Sequence, residues 1–321
     1  MTFRILAPTA KDVRLASDLF GWDRAKKMRK EGDYWVIRTD LPTDARLEYQ
    51  FVVDGKWMLD PNHQNVTETG VGTLNSVFIG QDYEPLEEVP LPEIPMRRIS
   101  MMVGQGHLRR NVVVYRPEDQ SKDLPVLIYG DGKEYDANVS PQHICQNLID
   151  QGKIPPVAIA LVPPRDRIAE YWKNSDDYEN FIVHSLLPDL RRRAGISENP
   201  ADVFVGGASL GGLISLRLVE KHPLSIAGGV HSQSGAFWAA PGVMAKAALT
   251  KIPDSARLYM DWGRFEGVLT VSNDRLVEAL DRIHKPYGSE LTSEGHNWTA
   301  WKRRYSKGVE YLLGDRIKDG K

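Results

Sequence analysis

One short segment, Gly207-Ala208-Ser209-Leu210-Gly211, constrains the fold of this chain more than any other feature of its sequence. It follows an apolar run at residues 203–205 and precedes residues 212–219, whose pattern predicts a helix. Strand, sharp turn and helix in this order form the context of a G-x-S-x-G nucleophile elbow. We expect Cβ atoms at Gly207 and Gly211 to clash with the neighbouring chain in so tight a turn. The turn then presents Ser209 Oγ at the carboxyl edge of a sheet, and the N–H of Leu210 faces a bound oxygen.

The second half of the chain alternates apolar strands with amphipathic helices. Residues 111–115, 125–129, 157–162 and 202–206 are short apolar runs, typical of strands that are buried on both faces. Residues 178–193 carry apolar side chains at helical spacing. Strands that alternate with helices predict a mainly parallel sheet with helices on both faces. Together with the elbow, this pattern predicts an α/β-hydrolase fold for residues 99–321.

The first 83 residues follow a different pattern, with short strands and no helical segment. The candidate strands are residues 34–38, 47–53, 56–58 and 74–79. Asp54-Gly55, between two of these strands, is a strong hairpin signal. The pattern predicts a small all-β, immunoglobulin-like sandwich over residues 1–83. Residues 84–98 contain four prolines, which oppose regular structure and predict a linker between the domains.

Composition narrows the classes of partner. The chain has 41 basic and 43 acidic residues and a net charge of −2, so neither nucleic acid nor a membrane is expected as a partner. Its one cysteine, Cys145, excludes an internal disulfide. The sequence has no H-x-x-x-H or paired-cysteine spacing, so we expect no metal and no cofactor. The absence of a signal-peptide pattern predicts a cytoplasmic protein; the alternative is a secreted protein whose signal has been removed.

A serine nucleophile needs a general base, and His296 is the predicted one. It lies in a polar loop after the candidate strand at residues 289–291 and before the final helix at 299–313. In this fold the base comes last in chain order. His284 also comes late, but it lies where a helix is predicted.

The acid that orients the base is expected after the strand at residues 257–261. Glu266 is the predicted acid, and Asp261 is the alternative. The second oxyanion donor is expected in the turn after an early central strand. Gly130-Asp131-Gly132 is such a turn, so the N–H of Asp131 or Gly132 is predicted to act beside that of Leu210; a plain turn is the alternative.

Residues 99–313 resemble the enterochelin (iron-siderophore) esterases and the related feruloyl esterases of carbohydrate esterase family 1. The resemblance rests on residues 130–132, 207–212, 263–266 and 295–298, and Ser232-Gln233-Ser234-Gly235 with Trp238 is similar to the siderophore branch. It implies a triad or dyad of Ser209 and His296, with Glu266 in the acid position. The family's usual Gly-Gly-His-Asp-Trp is Glu294-Gly295-His296-Asn297-Trp298 here, which removes a charge near the base.

The first domain resembles the family-48 carbohydrate-binding modules, which include the glycogen-binding domain of AMP-activated kinase. Trp22, Trp57 and Asn75 occupy the positions of two sugar-stacking tryptophans and a hydroxyl-binding asparagine, whereas Gln50 stands at the lysine position. The resemblance implies that this domain binds a glycan. The alternative is a domain that only packs on the esterase and shapes its entrance.

These features predict a serine carboxylic-ester hydrolase that acts through an acyl-enzyme on a small-molecule ester with an aromatic acyl group. Siderophore trilactones and feruloyl-sugar esters are equally open as substrates. The predicted substrate-binding residues are Arg167, Glu170, Trp238 and Trp298, for which a structural salt bridge or core packing is the alternative. The alternative function is a non-enzymatic glycan-binding protein with a degenerate hydrolase domain.

Overall fold

The structure is a computed structural model that describes residues 1–69, 72–86, 89–118 and 123–317. Its contacts divide the chain into two compact units. The first unit contains Met1–Leu86, Trp262–Thr270 and Leu291–Ala300, and the second contains Glu87–Asp261, Val271–Glu290 and Trp301–Lys321. Two segments that the sequence places in the second domain therefore group with the first. These are the segments that carry Glu266 and His296.

The first unit is built from antiparallel strands. They are β1 (Thr2–Leu6), β2 (Val13–Ser17), β3 (Gly21–Lys27), β4 (Arg29–Glu31), β5 (Tyr34–Arg38), β6 (Arg46–Val53), β7 (Lys56–Met58), β8 (Val66–Glu68) and β9 (Leu74–Ile79). One sheet has the order β1-β5-β4, and the other has the order β3-β2-β6-β9-β8 with β7 paired to β6. The predicted all-β class is confirmed.

Alternation of apolar and polar residues places the core of this unit. Val13 and Leu15 of β2 are fully buried, whereas Arg14 between them is exposed. They belong to a core with Phe51, and Phe265 from the later segment packs against the same core. The Asp54-Gly55 turn has positive φ at both residues, 46° and 81°, as a two-residue hairpin requires. Strand β3 was not predicted, because its residues are mostly polar and exposed.

An eight-stranded sheet forms the core of the second part of the fold. Its strands are β10 (Arg97–Val103), β11 (Arg110–Arg116), β12 (Val126–Tyr129), β13 (Ala158–Leu161), β14 (Val203–Ala208), β15 (Gly229–Gln233), β16 (Arg257–Gly263) and β17 (Gly288–Thr292), in the order β10-β11-β13-β12-β14-β15-β16-β17. The pairs from β13 to β16 are parallel, and the pairs β10–β11 and β11–β13 are antiparallel. Strand β10 begins inside the predicted linker, of which residues 87–88 lie outside the described residues.

Helices connect these strands. They are α1 (Gly132–Asn138), α2 (Pro141–Asp150), α3 (Ser175–Phe181), α4 (Leu187–Ala194), α5 (Leu210–Lys221), α6 (Lys246–Leu249), α7 (Val268–Arg282) and α8 (Trp298–Leu313). The helix predicted at residues 178–193 is α3 and α4 joined by a π-helical turn, Ile182–Leu186. Parallel strands with intervening helices confirm the predicted α/β-hydrolase class. In the described part of the chain, every helix is too short or too polar to span a bilayer.

The single cysteine lies on α2 and is fully buried. Burial raises the pKa of the Cys145 thiol to about 12. Because the thiolate is the nucleophilic form, this thiol is inert near neutral pH.

Candidate active site

Ser209 occupies a strained turn between β14 and α5. Its φ is 59° and its ψ is −119°, a conformation that is costly for any residue with a side chain. Neighbouring backbone holds it in place: the N–H of Ser209 donates to Gln233 O at 2.8 Å, and its carbonyl accepts the N–H of Ala236 at 2.9 Å. This is the geometry of a nucleophile elbow, in which the serine is pushed out of the sheet.

The elbow glycines at which a side chain would clash are not the two that were predicted. A Cβ at Gly207 would lie 2.8 Å from the backbone of Gly211, and a Cβ at Gly212 would lie 2.4 Å from Ser232 Oγ. A Cβ at Gly211 would meet nothing nearer than Asp131 Oδ2 at 3.5 Å, an ordinary contact. The clash predicted for Gly211 is therefore wrong, and the close approach falls on Gly207 and Gly212.

The structure brings His296 and Glu266 together. Glu266 Oε2 lies 3.2 Å from His296 Nδ1, and Glu266 Oε1 accepts the N–H of Gly263 at 2.7 Å. The Glu266 side chain is completely buried, whereas 29% of the His296 side chain is exposed. A carboxylate on Nδ1 favours the tautomer whose Nε2 is the basic nitrogen.

Asp261, the alternative acid, lies in a separate network. It is fully buried, and its Oδ2 is 2.9 Å from His231 Nε2. Its Oδ1 lies 2.8 Å from Arg304 Nε. The other ring nitrogen of His231 lies 2.6 Å from Tyr129 Oη. The structure thus pairs Asp261 with a sealed histidine, not with His296.

Residues 292–297, called the base loop below, are held by side chains and backbone of the first 83 residues. The N–H of Arg46 donates to Ser293 O at 2.9 Å. The hydroxyl of Tyr83 donates to Glu294 Oε1 at 2.8 Å, and Asp18 contacts both Gly295 and Asn297. These residues were not predicted, because partners so far apart in sequence leave no local pattern.

A cavity of about 350 Å³ opens beside His296 within the first unit. Its lining includes Phe20, Trp22, Glu266, Phe265, Leu269 and His296. Apolar side chains line the cavity together with ionisable ones, Asp18, Asp23, Arg24, Glu266 and His296, a combination that can hold a small molecule. The base is therefore reachable from a pocket that an apolar group can enter.

The predicted second oxyanion donors are corrected by the structure. The N–H of Asp131 donates to Tyr171 Oη at 2.8 Å. The N–H of Gly132 donates to Val162 O at 3.1 Å. Both groups are already satisfied, so neither can donate to an oxyanion in this conformation. The N–H of Leu210, by contrast, begins α5, where N–H groups have no acceptor within the helix.

Arg167 and Glu170, both predicted to bind substrate, differ in availability. Arg167 makes a bidentate pair with Asp131 at 2.8 and 2.9 Å, and its Nη2 donates to Ala208 O at 3.1 Å, one residue before Ser209. Its side chain is 37% exposed. Glu170 is buried and makes a bidentate pair with Arg110 at 2.7 and 2.9 Å. For Glu170 the structure favours the alternative that the sequence left open, because its carboxylate forms a structural salt bridge.

The two tryptophans predicted to bind substrate lie in different units and differ in exposure. Trp238 is 46% exposed and packs edge-on against Trp172 at 5.9 Å between ring centroids. Trp298 is the first residue of α8 and is half-buried. Trp238 thus offers an aromatic surface in the second unit, and Trp298 belongs to the first.

The segment Ser232-Gln233-Ser234-Gly235 contacts the elbow through Gln233 O, which accepts the N–H of Ser209. Gln233 is fully buried and its amide bonds Tyr135 Oη and Trp301 O, while Ser234 Oγ accepts the indole N–H of Trp301. These side chains point into the protein interior, so their role is structural.

The predicted glycan residues are only partly available. Trp22 and Trp57 stack with 6.5 Å between centroids and 18° between planes, and Trp57 is 53% exposed. Asn75 is 5% exposed, and its amide bonds Gln50 Nε2 and Glu48 Oε2. Both ends of the Asn75 amide are bonded internally, so a role in binding a sugar hydroxyl stays a prediction and would require these bonds to be exchanged.

The site holds no obvious place for a metal ion. Within the described ranges, no three His, Cys, Asp or Glu side chains are grouped so that they could bind one.

Two family models match the chain. Residues 107–311, more than half of the chain, match the model described as a putative esterase. Residues 7–84 match the model of the glycogen recognition site of AMP-activated protein kinase. The beta-1 subunit of that kinase from Rattus norvegicus is 26% identical over 121 residues, which are 36% of this chain and 44% of the subunit. The chain thus spans less than half of that relative's length.

Solved structures of esterases share the fold. The ferric enterobactin esterase of Salmonella typhimurium aligns with a TM-score of 0.79 at 20% identity, over 99% of this chain and 94% of that one. A ferulic acid esterase aligns with a TM-score of 0.59 at 15% identity, over 70% of this chain and 99% of that one. At these identities the likeness concerns the fold.

Proposed function

Because the chain belongs to the putative esterase family, whose model matches residues 107–311, and is an ester hydrolase, we propose that it acts through an acyl-enzyme formed on Ser209. The observation that carries this proposal is the pairing of His296 Nδ1 with a buried Glu266 beside a cavity. A carboxylate on Nδ1 makes Nε2 the basic nitrogen, and the partly exposed imidazole borders the cavity. The elbow supplies the matching nucleophile.

In the proposed reaction, His296 Nε2 removes the proton of Ser209 Oγ as the oxygen bonds to the ester carbonyl carbon. The C=O electron pair moves to the oxygen, and the tetrahedral intermediate then expels the alcohol, which takes the proton from His296. Water, deprotonated by the same nitrogen, attacks the acyl-enzyme and releases the acid and Ser209. Glu266 stays ionised and stabilises the imidazolium in both halves of the reaction.

The oxyanion is stabilised by the N–H of Leu210 and by the charge of Arg167. The Leu210 N–H lies at the positive end of α5, a 12-residue helix. Arg167 lies against the carbonyl of Ala208, next to the nucleophile. Its Nη1 has no hydrogen-bond acceptor among the residues that the structure describes, so it can donate to an anionic oxygen of the substrate.

The proposed substrates are esters with an aromatic acyl group. The exposed face of Trp238 suits an aromatic ring, and the free end of Arg167 suits a phenolate or carboxylate on it. Solved structures that share the fold include a ferric enterobactin esterase and a ferulic acid esterase. Because Ser232–Gly235 is structural, it does not favour the siderophore substrate over the feruloyl one.

A glycan remains the proposed ligand of the first domain, and one observation favours it. The stacked Trp22–Trp57 pair has an exposed ring, and flat aromatic faces bind the C–H surfaces of sugars. Asn75 and Gln50 are bonded to each other, so any such site lacks the polar contacts that its relatives' pattern implies.

Ser209→Ala tests the reaction. We expect p-nitrophenyl acetate turnover to fall by at least about 10³-fold, with the thermal unfolding temperature unchanged. Ser289→Ala, at an exposed serine outside the site, is the matched control and keeps full activity. Equal turnover in Ser209→Ala and wild type would contradict the proposal and favour the non-enzymatic alternative. Turnover of methyl ferulate against a catecholate trilactone then separates the two substrates.

A further inference from the structure

A single carboxylate, that of Asp18, touches three parts of the site. Its Oδ2 accepts the N–H of Glu48 at 2.9 Å and lies 3.5 Å from Asn297 Nδ2. Its Oδ1 accepts the indole N–H of Trp22 at 3.2 Å. Asp18 is therefore in contact with strand β6, with the aromatic wall of the cavity and with the residue that follows His296.

The backbone before His296 rests directly on this carboxylate. A Cβ at Gly295 would lie 2.1 Å from Asp18 Cγ and 2.2 Å from Asp18 Oδ2. No side chain fits there, so only glycine lets the base loop come so close. The position of His296 consequently depends on where Asp18 lies.

The charges around Asp18 do not balance. Arg46 Nη1 lies 3.1 Å from Glu48 Oε1, and both side chains are at most 5% exposed. This guanidinium pairs with Glu48, and Asp18 forms no ion pair with any residue that the structure describes. Burial, and next the repulsion by Glu48, raise the pKa of Asp18 to about 7, against the hydrogen bonds that it accepts and the attraction of Arg46.

Asn297 is suited to this surplus of negative charge. Its Nδ2 points to Asp18, and its Oδ1 accepts the N–H of Ala300 at 3.0 Å, which caps α8. The same oxygen lies 3.4 Å from Arg46 Nη1. An aspartate would keep the cap but would place a third carboxylate beside a single guanidinium.

We propose that Asp18 and Asn297 are a pair of positioning residues that fix the base loop, so that the β-sandwich sets the position of the catalytic base. The proposal rests on the role of His296 proposed above. The other ionisable groups that line the same cavity are Asp23, Arg24, Glu266 and His296 itself. Glu294 of the base loop is bound by Tyr83 and Thr292.

Asn297→Asp is the first test, with kcat measured on p-nitrophenyl acetate at about pH 6 and about pH 8. At the higher pH both carboxylates of the pair are ionised and repel each other, so we expect kcat to fall by about 10- to 100-fold, the cost of a misplaced base. At the lower pH one of them is protonated and can donate to the other, so the loss is several-fold smaller. Asn199→Asp, an exposed asparagine that also caps a short helix, is the matched control and keeps full activity.

The exchanged pair Asp18→Asn/Asn297→Asp is the second test. The amide at position 18 then donates to the carboxylate at position 297, but the oxygen that accepts the N–H of Glu48 is lost. We therefore expect kcat to recover only in part, to within about tenfold of wild type. Asn297→Ser keeps the cap without a new charge and loses only the donor to Asp18. We expect it to lower kcat about threefold at both pH values, and it serves if Asn297→Asp does not fold.

Three results would overturn the proposal. They are wild-type kcat in Asn297→Asp at about pH 8, an exchanged pair no more active than the single variant, or wild-type kcat in Asn297→Ser. Ser209→Ala is measured in parallel. If Ser209→Ala is inactive while the position-297 variants are unaffected, the positioning role alone fails; if Ser209→Ala stays active, the proposed function fails.

Discussion

Two of the histidine–carboxylate pairs among the residues that the structure describes have nearly the same separation but opposite surroundings. In the second unit, His231 and Asp261 are 2.9 Å apart and both are completely buried. In the first unit, His296 and Glu266 are 3.2 Å apart, and the imidazole is partly exposed beside a cavity. Both nitrogens of His231 face fixed protein partners.

The difference shows that the pair alone does not make a catalytic base. A histidine held between Tyr129 and Asp261 stabilises the interior, because both of its ring nitrogens face buried partners. The His296 imidazole is partly exposed beside a cavity, so we propose that it exchanges protons with a substrate. Accessibility, more than the distance within the pair, decides the role.

Alanine substitutions of the two histidines should differ most in their effects on activity and stability. His296→Ala is expected to lower kcat/KM for p-nitrophenyl acetate by about 10³-fold or more and to leave the unfolding temperature nearly unchanged. His231→Ala is expected to lower stability by about 2 to 3 kcal/mol, because it removes a buried hydrogen-bonded side chain. Activity per folded molecule should change less than tenfold in His231→Ala. A larger loss of activity in His231→Ala than in His296→Ala would reverse the assignment.

The two acids give the next largest contrast. Glu266→Gln is expected to lower kcat by about 10²-fold or more, since an amide no longer favours the imidazolium. Asp261→Asn leaves Arg304 with a neutral partner in the interior, so we expect a loss of about 3 kcal/mol in stability. Urea unfolding and steady-state kinetics on the same preparations separate the effects. A strongly destabilised Glu266→Gln with normal kcat would mean that Glu266 is structural.

Much of the difference between the two histidine–carboxylate pairs could not be predicted from the sequence. The elbow, the late histidine and the acid after β16 were predicted because each lies at a fixed place in an alternating strand–helix pattern. The runs at residues 34–38, 56–58 and 74–79 were predicted as strands because short runs of apolar and aromatic residues lie between turn signals, and each is a strand in the structure. Asp18, Arg46 and Tyr83 were not predicted, because their partners are distant in sequence. For the same reason the sequence could not show that the polar groups of Asn75, Glu170 and the turn at residues 130–132 have internal partners.

Ionisation of Asp18 should make the stability of the protein depend on pH. Its pKa is raised to about 7 in the folded protein, against about 3.9 in an unfolded chain. The folded state therefore holds a proton that the unfolded state has lost, and the stability that Asp18 contributes is present below about pH 4 and is lost as the pH rises to about 7. Asp18→Asn lacks this dependence, so the difference in unfolding free energy between wild type and variant should shrink across this range by a few kcal/mol, on the order of 1 to 4. A constant difference would show that Asp18 ionises normally.

The smallest effect is expected at the exposed tryptophan. Trp57→Ala should change stability by less than about 1 kcal/mol, because the ring is half exposed, and should leave p-nitrophenyl acetate turnover within about twofold. If the first domain binds a glycan, maltoheptaose binding measured by calorimetry is lost in this variant. Binding that persists in Trp57→Ala would place the sugar elsewhere.

Covalent labelling with a fluorophosphonate tests directly whether Ser209 is a nucleophile activated by His296. The probe phosphonylates an activated serine with loss of fluoride, and peptide mass spectrometry locates the adduct. We predict one adduct, on the peptide that contains Ser209, formed rapidly in wild type and in the Asn199→Asp control and at least about 10²-fold more slowly in His296→Ala. An adduct on another residue, or equal rates of labelling in wild type and His296→Ala, would contradict the proposed mechanism.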